Sequence, residues 1–211
     1  MTQQIPDGTR AGRLPRSARR AQLLEVALQV FVEQGYHAAS MDEIAERAGV
    51  SKPVVYQHFP GKLDLYLALL ESSRDTVIAG VRDALASTSD NRKRVRAVME
   101  LWFTYVADEG AAFRLVFESD LTNDPDVRSL VDRVMIESAE AVADVIGEDT
   151  SLPEDAAKLL ALSLVGMGHV AARTWLSTES TLDKDDAVQL LGQLAWRGIG
   201  GFPRDRNEGE E

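Results

Sequence analysis

Lys52, Tyr56, Gln57 and His58 place one cation, one phenol, one amide and one imidazole within a single seven-residue stretch. Groups of these types donate hydrogen bonds to phosphate oxygens and base edges, and the methyls of Val54 beside them can meet a thymine methyl. Recognition of a nucleic acid is the chemistry they offer. Catalysis is poorly provided for. The histidines are His37, His58 and His169 alone, none paired with a carboxylate at ligand spacing on one helix. No glycine-rich phosphate loop, nucleophile elbow or HExxH run occurs. With no cysteine in 211 residues, disulfides, thiolate nucleophiles and zinc-thiolate sites are excluded, and no cofactor or metal is expected. An enzyme would have to assemble its site from distant residues.

The stretch Ser40 to Lys62 carries start and stop signals for two short helices that would hold the recognition residues. Ser40 with Glu43 three residues on is a capping box, so a helix begins at Met41. Ile44, Ala45 and Ala48 form its narrow apolar stripe, and Gly49 can enter the left-handed conformation that ends it. Val50 can plug the turn and Ser51 can cap a second helix. Pro53 is tolerated in that helix's first turn, where amides lack intrahelical acceptors. Val55 and Phe59, at i and i+4, pack inward, leaving Lys52, Pro53, Val54, Tyr56, Gln57 and His58 facing out. The spacing fits a DNA-reading helix-turn-helix, and it also fits an ordinary helical hairpin with a polar outer face.

Gly35-Tyr36, the run Ser40 to Ala48 and the ending Tyr56-x-His58-Phe59-x-x-Lys62 closely resemble the N-terminal domain of TetR family transcriptional regulators, over roughly Ala21 to Leu70. That resemblance implies a homodimer on a palindromic double-stranded DNA operator. Lys52, Pro53 and Val54 would meet base edges, and Ser40, Tyr56, Gln57, His58 and Lys62 would hold phosphates. It further implies a repressor released by a small apolar or amphipathic effector bound among the middle helices. Beyond this domain the chain matches the family only in length and helical character.

A formal net charge of -11 argues against a nucleic-acid partner until its distribution is seen. Residues 1–62 hold eight Lys or Arg against six Asp or Glu, a net of +2, whereas residues 63–211 hold fifteen against twenty-eight, a net of -13. Arg10, Arg13, Arg16, Arg19 and Arg20 fall within eleven residues that contain no acid, and such an arm can follow a minor groove. Pro6, Gly8, Gly12 and Pro15 also fit a solvated tail that orders only on DNA.

Helical spacing continues elsewhere and strand alternation does not persist, so the fold class is all-α with about nine helices. The segment Ser17 to Gln34, with Ala21, Leu24, Ala27, Leu28 and Phe31 on one face, reads as a first helix stopped by Gly35. A helix opening at Lys62 carries a stripe from Leu63 to Leu85. Its two dozen or so residues reach roughly 36 Å, enough to join two domains. The expected organisation is a basic arm over 1–16, a helix-turn-helix domain over 17–62, a helical ligand and dimerisation domain over 63–202, and an acidic tail over 203–211. Trp102, Phe103, Tyr105, Phe113, Phe117, Met135, Met167, His169 and Trp175 are the candidates to line an effector pocket, and the same residues at the same spacing can simply fill the core. Asp124 with Pro125, and Ser151 with Glu154, mark two further helix starts. Glu154 to Leu176 and Leu182 to Arg197 are expected to build a four-helix dimer interface, the small residues of the first permitting close approach; these faces can equally fill one monomer's core. A helical adaptor without DNA binding is the alternative function. No apolar run reads as membrane-spanning and the N-terminus lacks a signal segment, so the expected location is the cytoplasm.

Overall fold

The computed structural model describes residues 14–108, 121, 123–177 and 181–198. Among them are eight helices and no strand: α1 (Arg16–Ala38), α2 (Met41–Arg47), α3 (Lys52–His58), α4 (Lys62–Ala86), α5 (Asn91–Asp108), α6 (Pro125–Asp149), α7 (Glu154–Ser177) and α8 (Lys184–Arg197). The expected helix Ala111 to Glu118, with Phe113 and Phe117, lies outside the described residues, as do Arg10, Arg13 and the acidic tail. The chain divides into two compact units, Met1–Tyr66 and Leu67–Glu211, a few residues beyond the expected boundary and within α4.

In the first unit the buried stripe of α1 is Leu23, Ala27, Val30 and Phe31 rather than the stripe through Ala21, which is exposed. The larger Leu23 and Val30 bury more apolar area than Ala21 can, and that sets the rotation of the helix. Gly35 kinks α1 instead of ending it: its φ of 76° and ψ of 166° are available to glycine, and one further turn runs on to Ala38. The Phe31 and Tyr66 rings meet edge to face at 5.2 Å, with Tyr36 5.1 Å from Tyr66.

In the second unit α5 packs against α7 and α8, and α6 lies along α7. Trp102 and Phe103 are almost wholly buried at its centre. The small residues of α7 serve that core. Ala157, Ala161, Val165, Gly168 and Ala172 form the buried face, and a Cβ on Gly168 would lie 2.8 Å from Trp102 Cδ1. The expectation that these small residues face a second subunit is thus corrected for Ala157, Ala161, Gly168 and Ala172, which are buried within the unit, Gly168 directly against Trp102 and Met99. By length and composition α7 could cross a membrane, contrary to the sequence reading, and only 22% of its most apolar stretch is buried. Asp124 caps α6, its Oδ1 accepting the N–H of Asp126 at 2.9 Å and of Val127 at 3.2 Å. The Glu154 carboxylate pairs with Lys158 one turn on.

Candidate DNA interface and apolar cavity

The turn between α2 and α3 is built by backbone hydrogen bonds that only a left-handed residue allows. Gly49, at φ 64°, lets its own N–H reach Glu46 O at 3.0 Å and the Val50 N–H reach Ala45 O at 3.0 Å. This pair of bonds is the Schellman closure, satisfying carbonyls that the helix end would leave free. Ser40 Oγ accepts the Glu43 N–H at 3.2 Å, but the returning half of the capping box is not made. Glu43 Oε1 instead accepts from Arg47 at 2.8 Å and from Gln34 at 2.6 Å, while Arg47 also pairs with Glu33 at 2.6 Å, tying α2 to α1. Ser51 makes no side-chain cap for α3, whose first turn relies on Pro53.

Val55 and Phe59 are buried, at 0% and 1% exposure, so α3 can face only one way. Lys52, Pro53, Tyr56 and Gln57 are exposed and Val54 and His58 half-buried. A concavity of about 600 Å³ runs beside them, walled by Leu14, Arg16 and Arg19 on one side and by Val50, Ser51, Val54, Gln57 and His58 on the other. The start of α1 and the outer face of α3 therefore form one basic surface. Burial first, then the fields of Arg16, Arg20 and Arg19, hold the His58 imidazole below its usual pKa.

Two basic candidates have work within the fold. Arg20 Cζ lies 4.4 Å above the Phe59 ring and Nη1 donates to His58 O at 3.3 Å, so it fastens α1 to the end of α3. Lys62 is more fully engaged. Its Nζ donates to the carbonyl oxygens of Tyr36 at 2.7 Å, Ala39 at 2.9 Å and His37 at 3.3 Å, and sits 4.5 Å from the Tyr36 ring centroid. An ammonium has three donors. All three are directed to the end of α1, so the expectation of a free phosphate ligand meets a structural clasp instead. Lys52, by contrast, is 53% exposed and pairs with Asp42 Oδ1 at 2.7 Å; the hydrogen bond to Asp42 is the main cause of its raised pKa. Sequence reasoning missed Gln22, whose Nε2 donates to Ala48 O at 3.2 Å and braces the turn. A polar residue on α1 gives no sign of a partner 26 positions away.

In the second unit an apolar cavity of about 320 Å³ lies among α4, α5, α6, α7 and α8, lined by Leu85, Val95, Val98, Met99, Val142, Val145, Ile146 and Leu164, with Ala195 and Trp196 from α8. Asn91, Arg94, Asp149 and Thr150 add polar groups to its wall, with Arg94 Nη1 donating to Asp149 Oδ2 at 3.0 Å. Of the seven expected pocket residues that are described, none lines it. Trp102, Phe103 and Tyr105 are buried core; the Phe103 and Trp175 rings lie 5.6 Å apart, and Trp175 Nε1 donates to Leu182 O at 2.9 Å. Met135 and Met167 are half-buried. His169 packs 5.6 Å from Trp102, and burial together with the nearby Arg173 lowers its pKa to about 4. The actual apolar lining is mostly valines, leucines and an isoleucine spread over α4, α5, α6 and α7, residue types that also fill ordinary buried stripes.

The profile of "Bacterial regulatory proteins, tetR family" matches residues 23–69, and that of "Tetracyclin repressor-like, C-terminal domain" matches residues 91–198. The HTH-type transcriptional activator FasR of Mycolicibacterium smegmatis is 46% identical over 198 residues, covering 94% of this chain and 90% of that protein. A TetR-like transcriptional regulator from Rhodococcus sp. RHA1 superposes with a TM-score of 0.69 at 28% identity, covering 90% of this chain and all of that one. The regulator FadR from Bacillus subtilis, solved in complex with stearoyl-CoA, has the same fold, with a TM-score of 0.73 at 17% identity over 85% of this chain and 98% of its own. The helix-turn-helix geometry, the all-α fold and these matches agree: the chain is a DNA-binding transcriptional regulator, not an enzyme, and it belongs to the TetR family.

Proposed function

We propose that two copies of the chain bind a palindromic operator through α3 and the basic start of α1, under the control of an amphipathic effector held in the apolar cavity. The observation that carries the DNA reading is the shared basic surface of Arg16, Arg19, Gln57 and His58 beside an α3 whose apolar side is spent in the core. Lys52, Pro53 and Val54 meet base edges; Ser40, Tyr56, Gln57 and His58, with Arg16 and Arg19, hold phosphates. Arg20 and Lys62 act by fixing the elements that present these groups. Since the partner is chromosomal DNA, the protein works in the cytoplasm.

Dimerisation is favoured by apolar side chains that the monomer leaves in solvent. Leu159 is 67% exposed and Val170 60%, and Leu162 of α7 and Leu190 of α8 are exposed as well. An exposed apolar face of this kind on an otherwise charged protein marks an interface. The sequence reading named a repressor, whereas the 46% identical relative bears the name of an activator. We assign regulation without its sign, because the sign is set by where the operator lies relative to the promoter.

Support for an acyl-type effector comes from the apolar lining of the cavity and from the stearoyl-CoA bound by the FadR of the same fold. α4 runs unbroken from Lys62 to Ala86, about 37 Å, and Leu85 at its far end lines the cavity. A ligand that fits one placement of α4 better than another shifts the population by that difference in affinity. Selection of bound fragments from genomic DNA, followed by retardation of the recovered site, tests the function. Recovery of no preferred sequence would sink the operator reading, and a 23 kDa species in sedimentation at micromolar concentration would sink the dimer.

A further inference from the structure

We propose that the cleft between the start of α5 and the end of α8 is a second, anionic subsite of the effector pocket, built for a head group carrying several phosphates and a flat ring. The cleft, about 350 Å³, is lined by Arg92, Lys93, Arg96 and Arg197 together with Gly192 and Trp196. This rests on the reading of the apolar cavity as the effector site and adds the chemistry of the other end of the ligand.

Three observations converge on it. The first is continuity. Trp196 lines both the cleft and the apolar cavity, and α5 serves both: Asn91, Val95 and Val98 lie on the cavity stripe, while Arg92 and Arg96, one residue on in the helical period, lie on the cleft stripe. A ligand whose chain enters the cavity can leave its head in the cleft.

The second is uncompensated charge. Residues 63–211 hold fifteen Lys or Arg among twenty-eight Asp or Glu, so a cation there has acidic neighbours in abundance. Arg74, Arg94 and Lys158 each find one. Arg92, Lys93, Arg96 and Arg197 form no ion pair among the described residues. The carboxylate of the cleft, Asp90, is turned to capping α5, its Oδ1 accepting the N–H of Arg92 at 2.9 Å and of Lys93 at 3.3 Å. Four like charges facing one concavity repel one another, and a multiply charged anion relieves that repulsion with charge-assisted hydrogen bonds.

The third is shape. Trp196 is 49% exposed, so a flat aromatic face stands open among the cations, a platform on which a planar base stacks. Gly192, in the interior of α8, presents no side chain where its Cβ would lie 3.9 Å from Arg96 Cα and Cβ. Glycine is a costly choice inside a helix. Here it keeps the floor of the cleft open.

The test uses the full-length protein and three probes in titration calorimetry: palmitoyl-CoA, palmitate, and CoA without the chain. Palmitoyl-CoA is expected to bind at least tenfold more tightly than palmitate, and raising the salt should remove most of that advantage. In the double variant Arg92→Gln/Arg96→Gln the palmitoyl-CoA Kd should rise at least tenfold while that of palmitate stays within twofold. Gly192→Leu, which fills the cleft without touching its charge, should act in the same direction. Val95→Phe, which fills the cavity, should weaken both chain-bearing probes alike. If palmitate and palmitoyl-CoA bind equally, or the glutamine pair leaves the palmitoyl-CoA Kd unchanged, the anionic subsite is refuted while the cavity stands. If Val95→Phe leaves palmitate binding intact, the cavity reading fails instead. Binding of none of the three probes overturns both.

Discussion

Replacing Lys62 by alanine separates two roles for a cation at the end of a helix-turn-helix. As a phosphate ligand it would contribute about 0.9 to the log-log salt slope of DNA binding and little to folding. As the clasp seen here, it holds the carbonyls of Tyr36, His37 and Ala39 and lies over the Tyr36 ring. A hydrogen bond from a charged donor contributes about 1.5–3 kcal/mol, and three bonds sharing one ammonium do not add. The contact at 3.3 Å is the weakest of them. A cation-π contact of this exposure adds about 0.5–1 kcal/mol. Lys62→Ala should therefore lower the stability of the first unit by about 2–4 kcal/mol, a large part of what a domain has. Trp102, Trp175 and Trp196 all lie in the second unit, so tryptophan fluorescence does not report on it. Native-state amide exchange across α1 to α3 does, and the slowest amides there should lose protection by a factor of about 30 to 1,000 by the same free energies. The salt slope on the selected operator should stay as in the wild type. A slope reduced by about 0.9 with amide protection unchanged would refute the clasp and restore the phosphate contact.

The Lys52–Asp42 pair holds a base-reading side chain in place, so Asp42→Asn should free it to meet phosphates, tighten binding to unrelated DNA more than to the operator, lower the ratio between them, and raise the salt slope on unrelated DNA by about 0.9; competition retardation with unchanged selectivity would count against it. His58 has a lowered pKa in the free protein, first from burial and then from Arg16, Arg20 and Arg19, and a phosphate beside it raises that pKa in the complex. The complex then holds more protons than its parts, so affinity should climb as pH falls from the complex pKa towards the free one and be flat above; in His58→Gln the climb should vanish, and its survival there would assign it to another group. Gly168→Ala gains about 0.8–1 kcal/mol of helix propensity but drives a Cβ to 2.8 Å from buried Trp102 Cδ1, an overpacking that costs about 1–3 kcal/mol, so it should be neutral to destabilising. Gly166→Ala, with nothing within 4 Å, should stabilise by about 0.5–1 kcal/mol; urea unfolding followed by tryptophan fluorescence decides, and the same sign for both would refute the packing argument.

Local rules were enough for the part of the chain whose structure is made locally. Gly49 must be left-handed to close the turn, Pro53 fits only a first helical turn, and Val55 with Phe59 sets which side of α3 is buried; each interaction spans a few residues, and the outward face of α3 was legible from them. The family resemblance rested on the same stretch. What was not legible depended on partners far along the chain. The Glu43 carboxylate could close the capping box or join Arg47 and Gln34, and the ion pair with Arg47 of its own helix, with the hydrogen bond from Gln34 of α1, prevailed. Lys62 was an exposed cation in the sequence and became a clasp because the kink at Gly35 turns three carbonyls towards it. The effector cavity escaped for a different reason. Large aromatics draw attention as pocket walls, yet they carry the most apolar area and go to the centre, so Trp102 and Phe103 fill the core. The space left over lies where valines and isoleucines of α5 and α6 meet Leu85 and Leu164. A void is set by how helices pack against one another, and only the tertiary structure decides where that packing leaves one.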